Sequence, residues 1–406
     1  MKILLYEPLP DINRAPFIRA LYLSLEKLGY QCLILTERNL IYTLNDSLTP
    51  KGVLRNNLHI ANFFHGLNVS ILPHNPRLYK NVSQKNIAQK REQLRAMREH
   101  WFQMNFQKFK PERCFIWNGN HDHQRDYICH LKRVKLQNKL FFAELGWLPQ
   151  RENFYLDALG VNGSSAIAKQ RFTQLNETQK KRLKKWQDKY IKQNIPAGDM
   201  KKNNVLVPLQ IDTDTNITHY SKFGSMTEFL TLLGQWIPVD LKVIVRPHPL
   251  STIEHQLNEL PANFSVDNET PLFELIAKSE FVIGINSTSL IESLACQRKV
   301  FAFGSGVFDS CKEIGRINPD KLVPFKSISF NYTQCSPFLY YLVFEKQISF
   351  KKLKKSVIEQ RYIPFPLPNV NKKEKIEVFK ANLMERIAGK IYSVLFKLKY
   401  FKLVFW

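Results

Sequence analysis

Short apolar runs alternate with amphipathic helical segments along most of this chain, and this alternation is the feature that most limits its fold. In the first half, apolar runs begin at Ile3 and recur at 31–36, 113–117 and 139–143. Between them, apolar residues recur at the three-to-four-residue spacing of helices. Strands and helices that alternate in this way form βαβ units around a parallel sheet, so the first half is predicted to be an α/β domain.

A second series of the same kind follows a basic stretch. Residues 176–195 predict a solvated helix, and the Pro and Gly near 196–198 predict a linker. Strands are then predicted at 205–208, 241–245, 281–285 and 300–303, with helices near 226–236, 271–278 and 288–296. A chain of 406 residues is too long for one ordinary core. We therefore predict a GT-B-like architecture: two Rossmann-type α/β domains, 1–198 and 199–365, that face a cleft.

The remaining residues, 366–406, form a tail of different composition. From Ala381 onward apolar side chains mix with lysines, which interrupt the segment too often for a membrane-spanning helix. A basic amphipathic helix of this kind either lies on an anionic membrane surface or packs back on the protein. We favour the membrane surface.

Net charge and cysteine spacing indicate which binding partners and which cell compartment to expect. The formal net charge of +24 favours partners that carry phosphate or carboxylate, such as nucleotides, anionic lipids or nucleic acid. No RNP, KH or helix-turn-helix signature is present, so nucleic acid is not expected. The six cysteines lack CxxC spacing, and the apolar run at 3–6 is too short for a signal-peptide core. A reducing cytoplasm fits best.

Polar residues directly after apolar runs are the first candidates for a site, because ligands in open α/β sheets bind beyond the carboxyl ends of strands. Five places qualify: Asn118-Gly119-Asn120, Glu144, Gln210 through Asp214, Arg246-Pro247-His248-Pro249, and Asn286-Ser287-Thr288-Ser289. From this position, Asn118, Gly119, Gln210 and Asn286 are predicted to bind substrate.

The last two places suggest phosphate chemistry. Hydroxyls and backbone N–H groups at a helix N-terminus, as at Ser287 to Ser289, bind phosphate, although capping alone explains Ser287 or Thr288 equally well. Arg246 and His248 can neutralise a leaving phosphate. A lone histidine after a strand is more often structural, but the phosphate-type turn on a neighbouring predicted strand favours the functional interpretation.

The carboxylates allow several roles. Asp212 and Asp214 have the spacing of a divalent-metal site, but two carboxylates alone rarely hold such an ion, so no metal is expected. Glu144 and Asp214 are candidates for acid/base or nucleophilic chemistry, and a solvated loop or a helix cap explains them equally well. His121, His123, Cys129 and His130 match no familiar zinc spacing.

Taken together, these motifs resemble the capsule polysaccharide synthesis family of Gram-negative bacteria, which includes retaining β-Kdo transferases that act on lipid-linked acceptors. The matching stretches are Glu144 through Pro149 with Gly160-Val161-Asn162, Pro208 through Asp214, Arg246 through Pro249, and Ile285 through Ser289 with Gly304. They occupy roughly 141–309. The family often carries Lys where this chain has Arg246, and Asp212 is an additional carboxylate.

The resemblance implies a GT-B fold, CMP-Kdo as donor substrate, no separate cofactor, and a lipid-linked or oligosaccharide acceptor at the cytoplasmic face of the inner membrane. It also implies that Asp214 is the nucleophile, with Glu144 and His248 nearby, and that the hydroxyls of Ser287 to Ser289 bind the departing phosphate. Two alternatives stay open: a transferase of the same fold that uses CMP-sialic acid or a UDP-sugar, and a non-catalytic partner in capsule assembly or export.

Overall fold

The structure is a computed structural model that describes residues 1–8, 15–37, 64, 66–72, 87–120, 122–196, 203–212, 214–249, 260–311, 314–328 and 330–349. The chain divides into a compact unit, Met1–Pro364, and a second unit, Phe365–Trp406. The second unit, with the predicted membrane-binding tail, lies outside the described residues. Its role and the predicted domain boundaries therefore stay predictions.

The N-terminal part of the chain builds the first sheet. Its strands are β1 (Lys2–Tyr6), β2 (Gln31–Thr36), β3 (Val69–Ile71), β4 (Arg113–Trp117), β5 (Leu140–Leu145) and β6 (Asn153–Asp157). The accompanying helices are α1 (Ala15–Lys27), α2 (Ile87–Phe109) and α3 (Asp122–Arg133). The strand order is β6-β5-β4-β1-β2-β3, and every pair from β5 to β3 is parallel, whereas β6 runs antiparallel to β5.

The second sheet follows helix α4 (Glu177–Asn194), which is capped by the side chain of Asn176. Its strands are β7 (Asn204–Pro208), β8 (Lys242–Arg246), β9 (Phe264–Val266), β10 (Ser279–Gly284), β11 (Lys299–Ala302) and β12 (Gly315–Arg316), in the order β12-β11-β10-β7-β8-β9. All of these pairs are parallel. The helices are α5 (Thr215–Tyr220), α6 (Met226–Trp236), α7 (Leu272–Ala277) and α8 (Thr288–Ala295).

Burial explains why the apolar runs become strands. All five residues of β7 are buried, as expected for a central strand that is covered by helices on both faces. One buried cluster joins both halves of the described chain, since it contains Trp147 and Tyr155 near the first sheet together with Leu206 and Phe308 from the second. The predicted α/β class and GT-B-like, two-sheet architecture are confirmed.

After the second sheet the chain returns to the first. Helix α9 (Tyr332–Tyr340) leads through a π-helical segment, Tyr341–Lys346, to β13 (Ile348–Ser349), which pairs antiparallel with β6. Gln347 accepts hydrogen bonds from the backbone N–H groups of Trp147 and Leu148, at 3.3 and 3.1 Å. The segment that ends in β13 therefore packs against the first sheet and stabilises it, although it follows the second sheet in the sequence.

Two further findings concern membrane-spanning helices and the cysteine thiols. Among the described helices, none combines the length and the apolar character needed to cross a bilayer. All six cysteines lie in described residues, and each carries a free thiol.

Candidate functional site

The carboxyl ends of β7, β8 and β10 border a cavity of about 330 Å³, which we call the strand-end cavity. Seven predicted site residues line it: Gln210, Asp214, Arg246, His248, Ser287, Thr288 and Ser289. Gln150, from the segment that follows β5, contributes to the same wall. Residues that are widely separated in sequence thus meet where parallel sheets bind their ligands.

Asp214 is held at the start of α5. Its Oδ1 accepts a hydrogen bond of 2.8 Å from the backbone N–H of Asn216, so the carboxylate caps that short helix. The side chain of Asn216 accepts a hydrogen bond of 2.6 Å from Nδ2 of Asn162 in the segment after β6. The capping role and a chemical role are compatible, because the cap uses Oδ1 and the residue also lines the strand-end cavity.

His248 lies between Pro247 and Pro249 and faces the same cavity. Burial lowers the pKa of His248, and the nearby Asp214 carboxylate opposes this change. With a lowered pKa, the imidazole is mostly neutral at neutral pH and can both donate and accept one hydrogen bond.

Arg246, the last residue of β8, supplies the positive charge. Its Nη1 donates a hydrogen bond to the backbone carbonyl of Thr270, which fixes the side chain. Burial lowers the pKa of Arg246, and Asp267 opposes the change. A guanidinium stays protonated at physiological pH even so, and it therefore gives the cavity a fixed cationic wall.

The hydroxyl groups at the start of α8 have internal partners. Ser287 caps the helix by accepting a hydrogen bond of 3.3 Å from the backbone N–H of Ser289, and the two Oγ atoms are 2.5 Å apart. Thr288 Oγ1 accepts a hydrogen bond of 3.2 Å from Gln150 Nε2. The predicted cap is thus present, and the same helix terminus opens on the cavity, where its N–H groups favour an anion.

Gln210 and Asn286 are joined to each other behind the cavity. Gln210 Nε2 donates to Asn286 Oδ1 at 3.0 Å, and the backbone N–H of Asn286 donates to Gln210 Oε1 at 3.2 Å. Asn286 Nδ2 also donates to the backbone carbonyls of Asn216 and Ser305. Asn286 is buried and is not part of the cavity wall, so its bonds hold the framework rather than a ligand.

Glu144, Asn118 and Gly119 lie elsewhere, at the end of the first sheet, and do not line the strand-end cavity. Strand β5 continues to Leu145, so Glu144 lies within the strand and not beyond it as the sequence predicted. The extension arises because β5 gains an antiparallel neighbour, in which Glu144 pairs with Tyr155. Burial raises the pKa of Tyr155 well above its ordinary value, and the Glu144 carboxylate raises it further.

Hydrogen bonds connect the ends of the two sheets. Besides the bond from Asn162 to Asn216, Asn120 Nδ2 donates to the hydroxyl of Tyr220 at 3.3 Å, and that hydroxyl donates to the backbone carbonyl of Val161 at 3.1 Å. The Gln150 bond to Thr288 adds a further link. These hydrogen bonds therefore join the segments that follow β4, β5 and β6 in the first sheet to helices α5 and α8, which border the strand-end cavity.

Glu292 is a residue of this site that the sequence analysis missed. It lines the strand-end cavity one helical turn after Ser289, and burial raises its pKa to about 7. An acidic residue on the helix that begins at the phosphate-type turn was the available signal, because residues three apart share a helix face. Gln150 and Asn216 were missed as well.

Asp212, which the sequence left without a role, accepts a hydrogen bond of 2.7 Å from the backbone N–H of Met226 at the start of α6. Within the described ranges, no three His, Cys, Asp or Glu side chains cluster in a way that suits a metal ion. Of the histidines considered for zinc, His121 lies outside the described residues, and His130 Nδ1 lies 2.9 Å from Glu99 Oε1.

Residues 164–311 match the family model described as "Capsule polysaccharide biosynthesis protein". Through that segment, the chain is similar to the capsule polysaccharide biosynthesis family. The resemblance seen in the motifs is thereby confirmed, and the segment includes every candidate residue from Gln210 to Ser289. Glu144 and Asn118 precede it. No curated protein matches the chain.

Solved structures give a distant similarity. KpsC from Thermosulfurimonas dismutans, a β-Kdo 2,7 transferase, is 14% identical with a TM-score of 0.44, over 87% of this chain and 99% of that one. A β-Kdo 2,4 transferase structure of KpsC from the same organism is 13% identical with a TM-score of 0.44, over 72% and 88%. The glycosyltransferase SnogD from Streptomyces nogalater is 12% identical with a TM-score of 0.30, over 75% and 81%.

Proposed function

We propose that this protein is a glycosyltransferase that transfers Kdo from CMP-Kdo to a lipid-linked or oligosaccharide acceptor, with retention of anomeric configuration, in capsule or lipopolysaccharide biosynthesis. One observation carries the proposal: the carboxylate of Asp214, the imidazole of His248, the guanidinium of Arg246 and the N-terminus of α8 share the strand-end cavity. A nucleotide-sugar donor needs this combination, because an anionic leaving group departs from an electrophilic carbon. The choice of Kdo rests on the motif resemblance.

Donor binding follows from charge. The phosphate of the donor would lie at the N-terminus of α8, where Ser287 and Thr288 provide hydroxyls and the helix dipole favours negative charge. Arg246 would contribute a charge-assisted hydrogen bond from the neighbouring strand end. Because these groups supply positive potential, the proposal needs no metal ion for donor binding.

The first chemical step would form a covalent intermediate. An oxygen of Asp214 attacks the anomeric carbon while the bond from that carbon to the phosphate oxygen breaks, and the electron pair leaves with CMP. Negative charge builds on the departing phosphate, so Arg246 and the α8 terminus stabilise the transition state more than the ground state. His248, neutral and close to Asp214, would provide a hydrogen bond within the same cavity.

The second step would restore the enzyme. An acceptor hydroxyl attacks the anomeric carbon, the bond to Asp214 breaks, and Glu144 takes the proton of the hydroxyl as general base. Two displacements at the same carbon return the original configuration. Glu144 belongs to the first sheet and Asp214 to the second, so the two carboxylates would act from opposite sides of the cleft.

The experiment is CMP release from CMP-Kdo by the purified chain with a lipid-linked or glycan acceptor. Asp214→Asn should abolish release, whereas Asp212→Asn is the matched control, because its amide oxygen can still accept from the N–H of Met226. Full activity of Asp214→Asn would disprove the nucleophile assignment. Turnover only with CMP-sialic acid or a UDP-sugar would disprove the donor, and glycan binding without turnover of any donor would identify a non-catalytic partner.

A further inference from the structure

We propose that Asn118 is a positioning residue, which fixes the orientation of the Glu144 carboxylate, and not a residue that binds substrate. The inference rests on the proposed function for the chemical role of Glu144. The contact itself is a hydrogen bond of 2.7 Å from Asn118 Nδ2 to Glu144 Oε2.

Strand register brings the two residues together. Strands β4 and β5 are parallel, with Trp117 opposite Ala143, so Asn118 and Glu144 come next along each strand. The backbone N–H of Asn118 donates to the carbonyl of Ala143 at 2.8 Å, which continues the pairing for one more step. The register of β4 and β5 therefore makes the side chains of Asn118 and Glu144 neighbours.

After Asn118 the chain turns sharply, and hydrogen bonds to the buried Gln124 stabilise this turn. Asn118 and Gly119 have positive φ angles of 62° and 106°. Gln124 on α3 accepts from the N–H of Gly119 at 2.9 Å and donates to the carbonyl of Trp117 at 2.5 Å. A Cβ at Gly119 would lie 2.7 Å from the Phe142 ring, so this position needs glycine. Gly119, predicted to bind substrate, thus shapes the turn.

The hydrogen bonds also settle which way the Asn118 amide points. Its Oδ1 accepts from the backbone N–H of Asn120 at 3.0 Å, and only the oxygen of an amide can accept. The NH₂ group must then face Glu144. The second carboxylate oxygen, Oε1, accepts from the N–H of Leu145 at 2.9 Å. Each oxygen of Glu144 thus has a fixed donor, and the carboxylate keeps one orientation.

This arrangement has a chemical consequence for a general base. A donor on the carboxylate favours its ionised form, and a fixed rotamer avoids the cost of orienting the group for each turnover. Removing the amide should therefore make Glu144 a base that is protonated at higher pH and is less well aligned. An aspartate at position 118 should have a larger effect, because two adjacent carboxylates resist joint ionisation.

The test compares Asn118→Gly and Asn118→Asp with the wild type. Glycine keeps the positive φ without strain, so this variant removes the amide alone. The first readout is the titration of the Glu144 carboxyl carbon by NMR in the ligand-free protein, with Glu144→Gln for assignment. The second is the pH dependence of kcat for CMP release. Asn138→Ala is the matched control, since it removes an exposed asparagine amide just before β5, at the other end of the strand that carries Glu144.

For Asn118→Gly we expect the Glu144 titration and the acid limb of kcat to move up by roughly one pH unit, with a roughly tenfold fall in kcat below the midpoint and little change in the KM for CMP-Kdo. Asn118→Asp should move both pH midpoints further, and Asn138→Ala should leave both midpoints in place. An unchanged titration, or an increase confined to the KM of either substrate, would overturn the inference. A shifted titration in a protein without transferase activity would refute the proposed function alone.

Discussion

Gln210 and Asn286 hydrogen-bond to each other just beyond the carboxyl ends of β7 and β10, Nε2 to Oδ1 at 3.0 Å, and so connect the ends of these two strands. Both side chains are buried. Their contact lies directly behind the cavity that holds Asp214 and Ser287, so it sets the spacing of the two strand ends that carry those residues.

Replacing Gln210 by leucine should destabilise the fold. The change leaves the Oδ1 atom and the backbone N–H of Asn286 without their partner in a buried place, which costs about 1–3 kcal/mol of unfolding free energy. Urea denaturation followed by circular dichroism measures it. Unchanged stability with weaker binding of CMP would instead assign Gln210 to the ligand, as the sequence predicted.

Replacing Asn162 by glycine should slow turnover without unfolding the protein. Asn162 has a positive φ of 50°, which glycine adopts freely, so the variant removes mainly the hydrogen bond to Asn216. Because the N–H of Asn216 holds Asp214, we expect kcat for CMP release to fall roughly tenfold. Wild-type kcat at unchanged thermal stability would show that this link does not position the carboxylate.

Replacing Glu292 by glutamine should change the pH dependence of stability. Burial raises the pKa of Glu292 to about 7, above its ordinary 4.5. The folded state therefore holds this proton more tightly, and the stability it contributes is full below about pH 4.5 and is lost as pH rises through about 7. Relative to the wild type, Glu292→Gln should gain about 1–3 kcal/mol between about pH 5 and pH 8.

Thermal denaturation at the two pH values measures the difference, with Glu274→Gln as control. Glu274 on α7 forms a partly exposed ion pair with Lys278, at 2.6 Å, and does not line the strand-end cavity. A gain for Glu292→Gln that is the same at both pH values would contradict the assignment.

Deleting residues 381–406 should weaken binding to vesicles that contain anionic lipid and leave CMP binding intact. The physical reason is the loss of lysines and apolar side chains that together favour an anionic interface. Sedimentation with phosphatidylglycerol vesicles measures the binding, with neutral vesicles as control. Equal sedimentation of the full and shortened chains would show that the tail does not bind membranes.

The regular core of the fold was predictable because its strands are buried on both faces and read as apolar runs. The helix expected at 226–236 is found at Met226–Trp236, and the strand expected at 300–303 is found one residue earlier, at Lys299–Ala302. By contrast, β13 is two residues long and forms through its pairing with β6. Its residues Ile348 and Ser349 pair with Phe154 and Asn153, which lie 194 and 196 positions earlier in the chain. No local pattern signals such a strand.

The site residues also divide into those that a local sequence pattern predicts and those that depend on contacts between distant parts of the chain. The sequence allowed Asp214, Arg246, His248 and Ser287 to be placed at the ends of strands, where they line one cavity, because position directly after a strand is a local property. Asn118 and Asn286 were predicted to bind substrate from the same local position. Their hydrogen-bond partners Glu144 and Gln210 depend on strand register and on bonds across the sheet, which no local pattern specifies. Glu292 lies inside a helix, so the search for polar residues directly after strands did not include it, although its spacing of three from Ser289 places both on one helix face.

The central claim is that Asp214 is a nucleophile. The most direct measurement is the intact mass of Glu144→Gln after brief incubation with CMP-Kdo and acceptor, followed by peptide mapping. The account predicts a protein heavier by one Kdo residue, with the sugar on the peptide that contains Asp214, because the second displacement lacks its base. Transfer by the wild type with inverted configuration, and no adduct on Asp214 in the variant, would contradict it.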